Sequence, residues 1–228
     1  MNINMKIGSL TIEYIYHYDT YLKDHLLSYL LPDDEKPTYK MEVILSNHIV
    51  RPDLEPTQTF RQKLYGYSKD LDYISRIKDD KIVEQVVFDK KNHTALIYIS
   101  PSNNDNLAMR EYMLSSLMFL EIANYEGYML LHASAIRYQD EAILFSAPSK
   151  TGKSTHATYW KIEYPNDVFF INDDKPLIYI KDHKFHVTGS PFSGKSVLNE
   201  NTSRPLKAIM FLEQSEIEHI IKLTPKDS

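Results

Sequence analysis

Cysteine is absent from this 228-residue chain, which excludes disulfides, thiolate zinc sites and cysteine nucleophiles. No run approaches the roughly 18 consecutive apolar residues that a membrane-spanning helix needs. The opening segment, MNINMKIGSLTIEYIYHYD, lacks the basic-then-apolar layout of a signal peptide. These absences point to the cytoplasm and to no membrane partner. An excess of positive charge is missing too, since 26 Lys and Arg face 31 Asp and Glu, for a formal net charge of -5. A general nucleic-acid binder carries a basic surface, so no nucleic-acid partner is expected. A nucleotide needs only a local positive field, which Lys150, Lys153 and Lys161 can supply.

Glycine is also scarce. Of six in the chain, three (Gly152, Gly189 and Gly194) fall in one central region. A chain this sparing keeps glycine where backbone geometry demands it, so that region is where chemistry is sought.

What is present suffices for one large domain or two small ones with real cores. The first hundred residues read as β-rich: Lys6–Tyr16 and Lys40–Leu45 alternate, and Val83–Phe88 and Thr94–Ser100 are β-branched and apolar. Tyr21–Leu31 reads as a short helix ended by Pro32. A long helix is expected from Asn106 to Tyr125, with its methionines as core filler and Gly127 as its stop. Short strands then follow at Tyr128–Leu131, Glu141–Phe145, Val168–Ile171, Leu177–Ile180, Lys184–Val187 and Leu206–Leu212. The expected division is a β-rich N-terminal domain over 1–105, positioning an acceptor, and a second domain over 106–228.

The segment Ala142-Ile-Leu-Phe-Ser-Ala-Pro-Ser-Lys-Thr-Gly-Lys-Ser-Thr155 reads as a strand, a tight loop and a helix start. A polyphosphate needs this arrangement. Successive amides turn inward, the helix N-terminus adds partial positive charge, and a lysine reaches the terminal oxygens. Ser149, Lys150, Thr151, Gly152, Lys153, Ser154 and Thr155 are therefore the candidate nucleotide-binding residues, with the Ser154 hydroxyl placed for Mg²⁺. The full G-x-x-x-x-G-K-[ST] pattern fails here because Ala147 stands first; it is met at Gly189-Ser-Pro-Phe-Ser-Gly-Lys-Ser196. That second copy runs into asparagines and Pro205 where a helix is required, so the first copy is preferred. Val168-Phe-Phe-Ile-Asn-Asp-Asp174 is an apolar run ending in two carboxylates, which suits delivery of charge to the metal side of the site. One of Asp173 and Asp174 can hold Mg²⁺, and the other can accept the proton of an attacking hydroxyl. His183 and His186 form no convincing metal set.

Leu131-His-Ala-Ser134, Ser149-Lys-Thr-Gly-Lys-Ser-Thr155 and Ile171-Asn-Asp-Asp174, in that order, resemble the catalytic domain of HPr kinase/phosphorylase. They resemble more closely the related serine kinases encoded beside bacterial peptide-biosynthesis genes, over about residues 128–214. The resemblance implies an α/β (α+β overall) fold with a phosphoenolpyruvate-carboxykinase-like mixed sheet around an embedded phosphate loop. It implies His132, Asp173 and Asp174 as catalytic residues, and Ser154 and Asp173 as metal residues. Gly189, Lys195 and Arg204 are implied to face substrate or phosphate. Lys150 stands where such kinases commonly have glycine, and the chain stops where they usually continue, so a C-terminally truncated core is expected. The resulting expectation is an ATP- and Mg²⁺-dependent kinase acting on a Ser or Thr hydroxyl of a peptide or protein, with homo-oligomerisation left open. A small-molecule kinase of the same fold and a non-catalytic nucleotide-binding module are the alternatives.

Overall fold

Alternating apolar residues drive the N-terminal part into strands. A computed structural model describes residues 1–103, 106–193 and 198–224, leaving aside the side chains of Lys23 and Asp24. The fold is mixed α+β and mostly strand, in two sheets.

The first sheet takes β1 (Asn2–Ile7), β2 (Leu10–Ile15), β3 (Tyr39–Leu45), β4 (Gln58–Phe60), β5 (Lys63–Tyr67), β6 (Leu71–Lys78), β7 (Lys81–Asp89) and β8 (Thr94–Ile99). Their spatial order is β1-β2-β3-β8-β7-β6-β5-β4. The β2–β3 and β3–β8 pairs are parallel, and the others antiparallel. Inward residues at every second position (Met5 and Ile7; Leu10, Ile12 and Tyr14; Met41 and Val43; Ala95, Ile97 and Ile99) are buried, as a half-covered sheet requires. Asp79 and Asp80, both at positive φ, close the β6–β7 hairpin in the sense that matches strand twist. The 58–78 hairpins were not foreseen, because β4 and β5 bury little and carry scant apolar signal. The expected helix at 21–31 shrinks to α1 (Lys23–Leu26) and a 3₁₀ turn at Leu27–Tyr29.

Helix α2 (Leu107–Tyr125) starts where expected, because the Asn106 side chain accepts a hydrogen bond from the Met109 amide at 2.9 Å. It ends at Gly127 (φ +80), with Tyr128 N donating to Ala123 O and Gly127 N to Asn124 O, a paired closure that satisfies orphan carbonyls. Its buried face departs from the expected one. Met109 and Met113 are exposed, whereas Glu111, Ser115, Met118, Phe119, Ile122 and Ala123 are buried. The polar members are tolerated there because they are bonded: Tyr14 Oη to Ser115 Oγ at 2.7 Å, and the His17 and Tyr18 amides to Glu111 Oε1. Although it lies in the second half of the expected division, α2 packs on the first sheet, against β3, β7 and β8.

The second sheet runs β12-β10-β11-β15-β14-β13-β9. Its strands are β9 (Met129–Leu130), β10 (Ala133–Tyr138), β11 (Glu141–Ser146), β12 (Val168–Asp174), β13 (Leu177–Lys181), β14 (Lys184–Thr188) and β15 (Ser203–Phe211). Strand β10 was not foreseen because Ala-Ser-Ala carries weak strand propensity; burial between two neighbours makes it a strand nonetheless. Helix α3 (Lys153–Glu163) covers one face through Ala157 and Trp160, against Ile136, Phe145 and Val168. One large core links the halves, since Tyr128, Leu177 and Phe192 pack into the cluster of the first sheet and α2. No helix is long and apolar enough to cross a membrane among the described residues.

Candidate active site

The neighbouring strands β12, β10 and β11 bring their chemistry to one end of the sheet. In the β10 pairings Ala133 faces Asp174 on one side and Ser146 on the other, and Ser134 faces Asp173. The start of β10 thus lies between the end of β12, which carries the carboxylates, and the end of β11, which opens the loop. A cavity of about 310 Å³ sits there, lined by His132, Ser134, Ser149, Lys150, Gly152, Lys153, Ser154, Thr155, Asp173 and Asp174. Its size is at the low end of what small-molecule sites enclose.

The loop enters α3 at Gly152, whose φ of +114 is open to glycine and strained for other residues, and a Cβ there would meet no atom within 4 Å. No side chain caps the helix, and the first helical amide bond is His156 N to Gly152 O at 2.8 Å. The amides of Lys153, Ser154 and Thr155 consequently have no helical partner, which leaves donors and a partial positive charge for an anion. Ala147 does not adopt positive φ, so the loop closes without the glycine of the full pattern. Lys150 does adopt it, at φ 69, which explains why glycine would be the easier residue there.

Lys153 is buried on the loop. Its Nζ donates to Ala147 O at 3.0 Å and lies 3.1 Å from His132 Nε2. An ammonium only donates, so Nε2 is the acceptor and the ring hydrogen sits on Nδ1. That Nδ1 is 3.3 Å from Asp174 Oδ1. The result is a chain from Lys153 through His132 to Asp174, in which the imidazole orients the carboxylate. Asp174 also has Lys175 Nζ at 3.8 Å. Asp173 is held differently, accepting the hydroxyl hydrogen of Ser134.

Of the sequence-expected residues, nine share this cavity: His132, Ser149, Lys150, Gly152, Lys153, Ser154, Thr155, Asp173 and Asp174. Thr151 does not line it; its amide closes the turn onto Pro148 O at 3.3 Å. Gly189 and Arg204 do not line it either. Gly189 is required by packing, because a Cβ would fall 2.4 Å from Glu200 O and 2.5 Å from Ile171 O. Arg204 lies on β15 opposite Val187, with its guanidinium donating to Ser203 O. Lys195 lies outside the described residues, as does the Gly194–Ser196 end of the second phosphate-loop pattern.

Two residues were missed. Ser134 appeared in the sequence reading only as part of a resemblance. Asn172, fully buried, accepts from the Asp174 and Lys175 amides through Oδ1 and donates to Ser190 O through Nδ2. It thereby sets the turn that presents the carboxylates, and an asparagine directly before two aspartates was the available signal. Among the described residues, no group of three or more His, Asp or Glu side chains forms a metal cluster.

Comparison with known families places the chain. The model of ScmC, described as SynChlorMet cassette protein ScmC, matches residues 96–228. No curated protein matches the chain at a significant level. The resemblance to HPr kinase/phosphorylase is corrected by this match: the shared motifs are short, and the family model that spans the whole second sheet is ScmC. The chain belongs to the ScmC family.

Proposed function

We propose that this member of the ScmC family binds ATP with Mg²⁺ in the cytoplasm and transfers the γ-phosphoryl group to a Ser or Thr hydroxyl of a peptide or protein. The finer fold reading that goes with it is a phosphoenolpyruvate-carboxykinase-like core. The observation that carries the proposal is the convergence, in one cavity, of an uncapped helix start, a buried lysine and two carboxylates held in different ways.

The residues suit the metal. Ser134, Ser154 and Asp173 offer oxygens alone, and hard oxygen donors match Mg²⁺, which keeps several waters and needs few protein ligands. Ser154 and Asp173 would hold it, and its chemistry there is neutralisation of phosphate charge. The protein's own groups do the rest. The amides of Lys153, Ser154 and Thr155 bind phosphate oxygens, and Lys153 exchanges its loop carbonyls for the β/γ oxygens. Asp174, oriented by His132, takes the proton of the acceptor hydroxyl. The bond formed joins the acceptor oxygen to the γ-phosphorus, and the bond broken is that from the γ-phosphorus to its bridging oxygen. ADP leaves with the electron pair.

The test is equilibrium binding of a fluorescent ATP analogue with and without Mg²⁺, followed by transfer from labelled ATP to candidate peptides. The wild-type chain is expected to bind in a Mg²⁺-dependent way, and Lys153→Ala to lose that binding. Equal binding by the folded variant would remove the nucleotide reading.

A further inference from the structure

Asp173 and Asp174 are adjacent in sequence but differently compensated. Asp174 has His132 Nδ1 at 3.3 Å and Lys175 Nζ at 3.8 Å. Among the described residues, Asp173 makes no ion pair. Its side-chain partner is Ser134, a residue only 1% exposed that lines the cavity.

Placement of this serine follows from strand pairing. Ser134 and Asp173 are direct partners across the antiparallel β10–β12 ladder, so their side chains project to the same face. The same hydroxyl lies 3.4 Å from Ser154 Oγ in the first turn of α3. One hydroxyl hydrogen cannot serve both neighbours, and the charged carboxylate is the stronger acceptor. Ser134 therefore donates to Asp173, and Ser154 Oγ is its second, longer neighbour. Three oxygens from three separate elements come together here, with one negative charge that no ion pair offsets among the described residues.

We propose that Ser134 is a positioning residue of this site: its hydroxyl fixes the Asp173 carboxylate beside Ser154, so that both face one divalent cation. Asp173 is thereby reserved for the cation, and Asp174, turned towards His132, is left to the acceptor hydroxyl. This rests on the nucleotide reading above and adds the division of labour between the two carboxylates. A buried hydroxyl that only filled space would contribute packing and nothing to cation dependence. A residue that orients a metal-binding carboxylate typically changes metal affinity about 10–100-fold when removed.

The experiment compares Ser134→Ala, Ser134→Thr and Ser134→Cys with the wild-type chain. The cation concentration that half-saturates ATP-analogue binding is measured by fluorescence, and Mn²⁺ binding in the presence of ATP by electron paramagnetic resonance. Ser134→Ala is expected to raise the cation requirement about 10–100-fold while leaving cation-free analogue binding on the loop unchanged. Ser134→Thr, which keeps the hydroxyl, is expected to restore most of the loss. Ser134→Cys keeps the volume without the strong donor and carries the same expectation if the alanine variant does not fold. A wild-type cation requirement in the alanine or cysteine variant overturns the role of Ser134 alone. Equal loss of binding with and without cation overturns it too, because the effect is then on the loop. If the wild-type chain binds no nucleotide under any condition, the nucleotide reading falls and this role with it.

Discussion

Lys150 offers a perturbation in which backbone and charge act in opposite directions. It holds φ at 69 in the loop and contributes to the cavity wall. A left-handed conformation costs an L-residue roughly 1–2 kcal/mol. Glycine removes that strain, while its freer unfolded chain takes back about 0.4–1 kcal/mol. Lys150→Gly is therefore expected to leave stability unchanged or raise it by about 1 kcal/mol, a rise of about 2–4 °C in Tm for a chain of this size. The charge works the other way. One unit charge about 4 Å from a phosphate oxygen contributes about 1 kcal/mol in a water-like dielectric, and Lys150 is exposed enough for that value to apply. The expected loss of ATP affinity is about fivefold at low salt, on the scale where 1.4 kcal/mol is tenfold. It should nearly vanish near 1 M salt, where screening acts over about 3 Å. Calorimetric melting and titration of a fluorescent ATP analogue at two salt concentrations read both arms. If the variant matches wild-type affinity at low salt, Lys150 bears no charge role and the reasoning fails. A fall in Tm would refute the backbone half.

Other outcomes follow from the same site and core. Asp174→Asn should preserve nucleotide binding and slow phosphoryl transfer by about 10²–10⁴, the range of a lost general base; transfer rates against binding constants separate the two. Glu84 is buried on β7 and receives the forks of Arg76 from β6 and Arg110 from α2, so it fastens that helix to the first sheet. Burial pushes its carboxyl up, but the hydrogen bonds and charges of the two arginines outweigh burial and hold it below the ordinary glutamate value. Its contribution is complete above the ordinary value near 4.3 and is lost as pH falls through the lowered one. Glu84→Gln should cost about 3 kcal/mol at pH 7, with the gap from wild type closing on acidification, as denaturant melts across pH would record.

The loop and helix start that line the cavity were readable because their parts are local. The apolar run into Ser149–Thr155, with Gly152 before a helix, specifies a strand, a loop and a helix start within about a dozen residues, and backbone geometry enforces them. The same holds for α2, whose cap at Asn106 and stop at Gly127 are nearest-neighbour effects. Of the two competing loop patterns, the one preferred for its context lines the cavity, and the Gly194–Ser196 end of the other lies outside the described residues. Gly189 was the harder case. Scarcity marked it as geometrically required, but its requirement is close approach to the Glu200 and Ile171 carbonyls, a contact invisible along the chain. Met118 is core as expected, but Met109 and Met113 misled for a related reason, since the helix buries the face carrying Glu111 and Ser115, where donors from Tyr14 and His17 wait for them.

The sequence by itself determined that a helix start, a lysine and two carboxylates would exist, because each is written in contiguous residues. Only the tertiary structure decided that β10 would lie between β11 and β12, and so that Ser134 would meet Asp173 while His132 would link Lys153 to Asp174. Register between strands depends on burying both faces of a sheet at once, a condition on residues some forty positions apart that no single segment expresses.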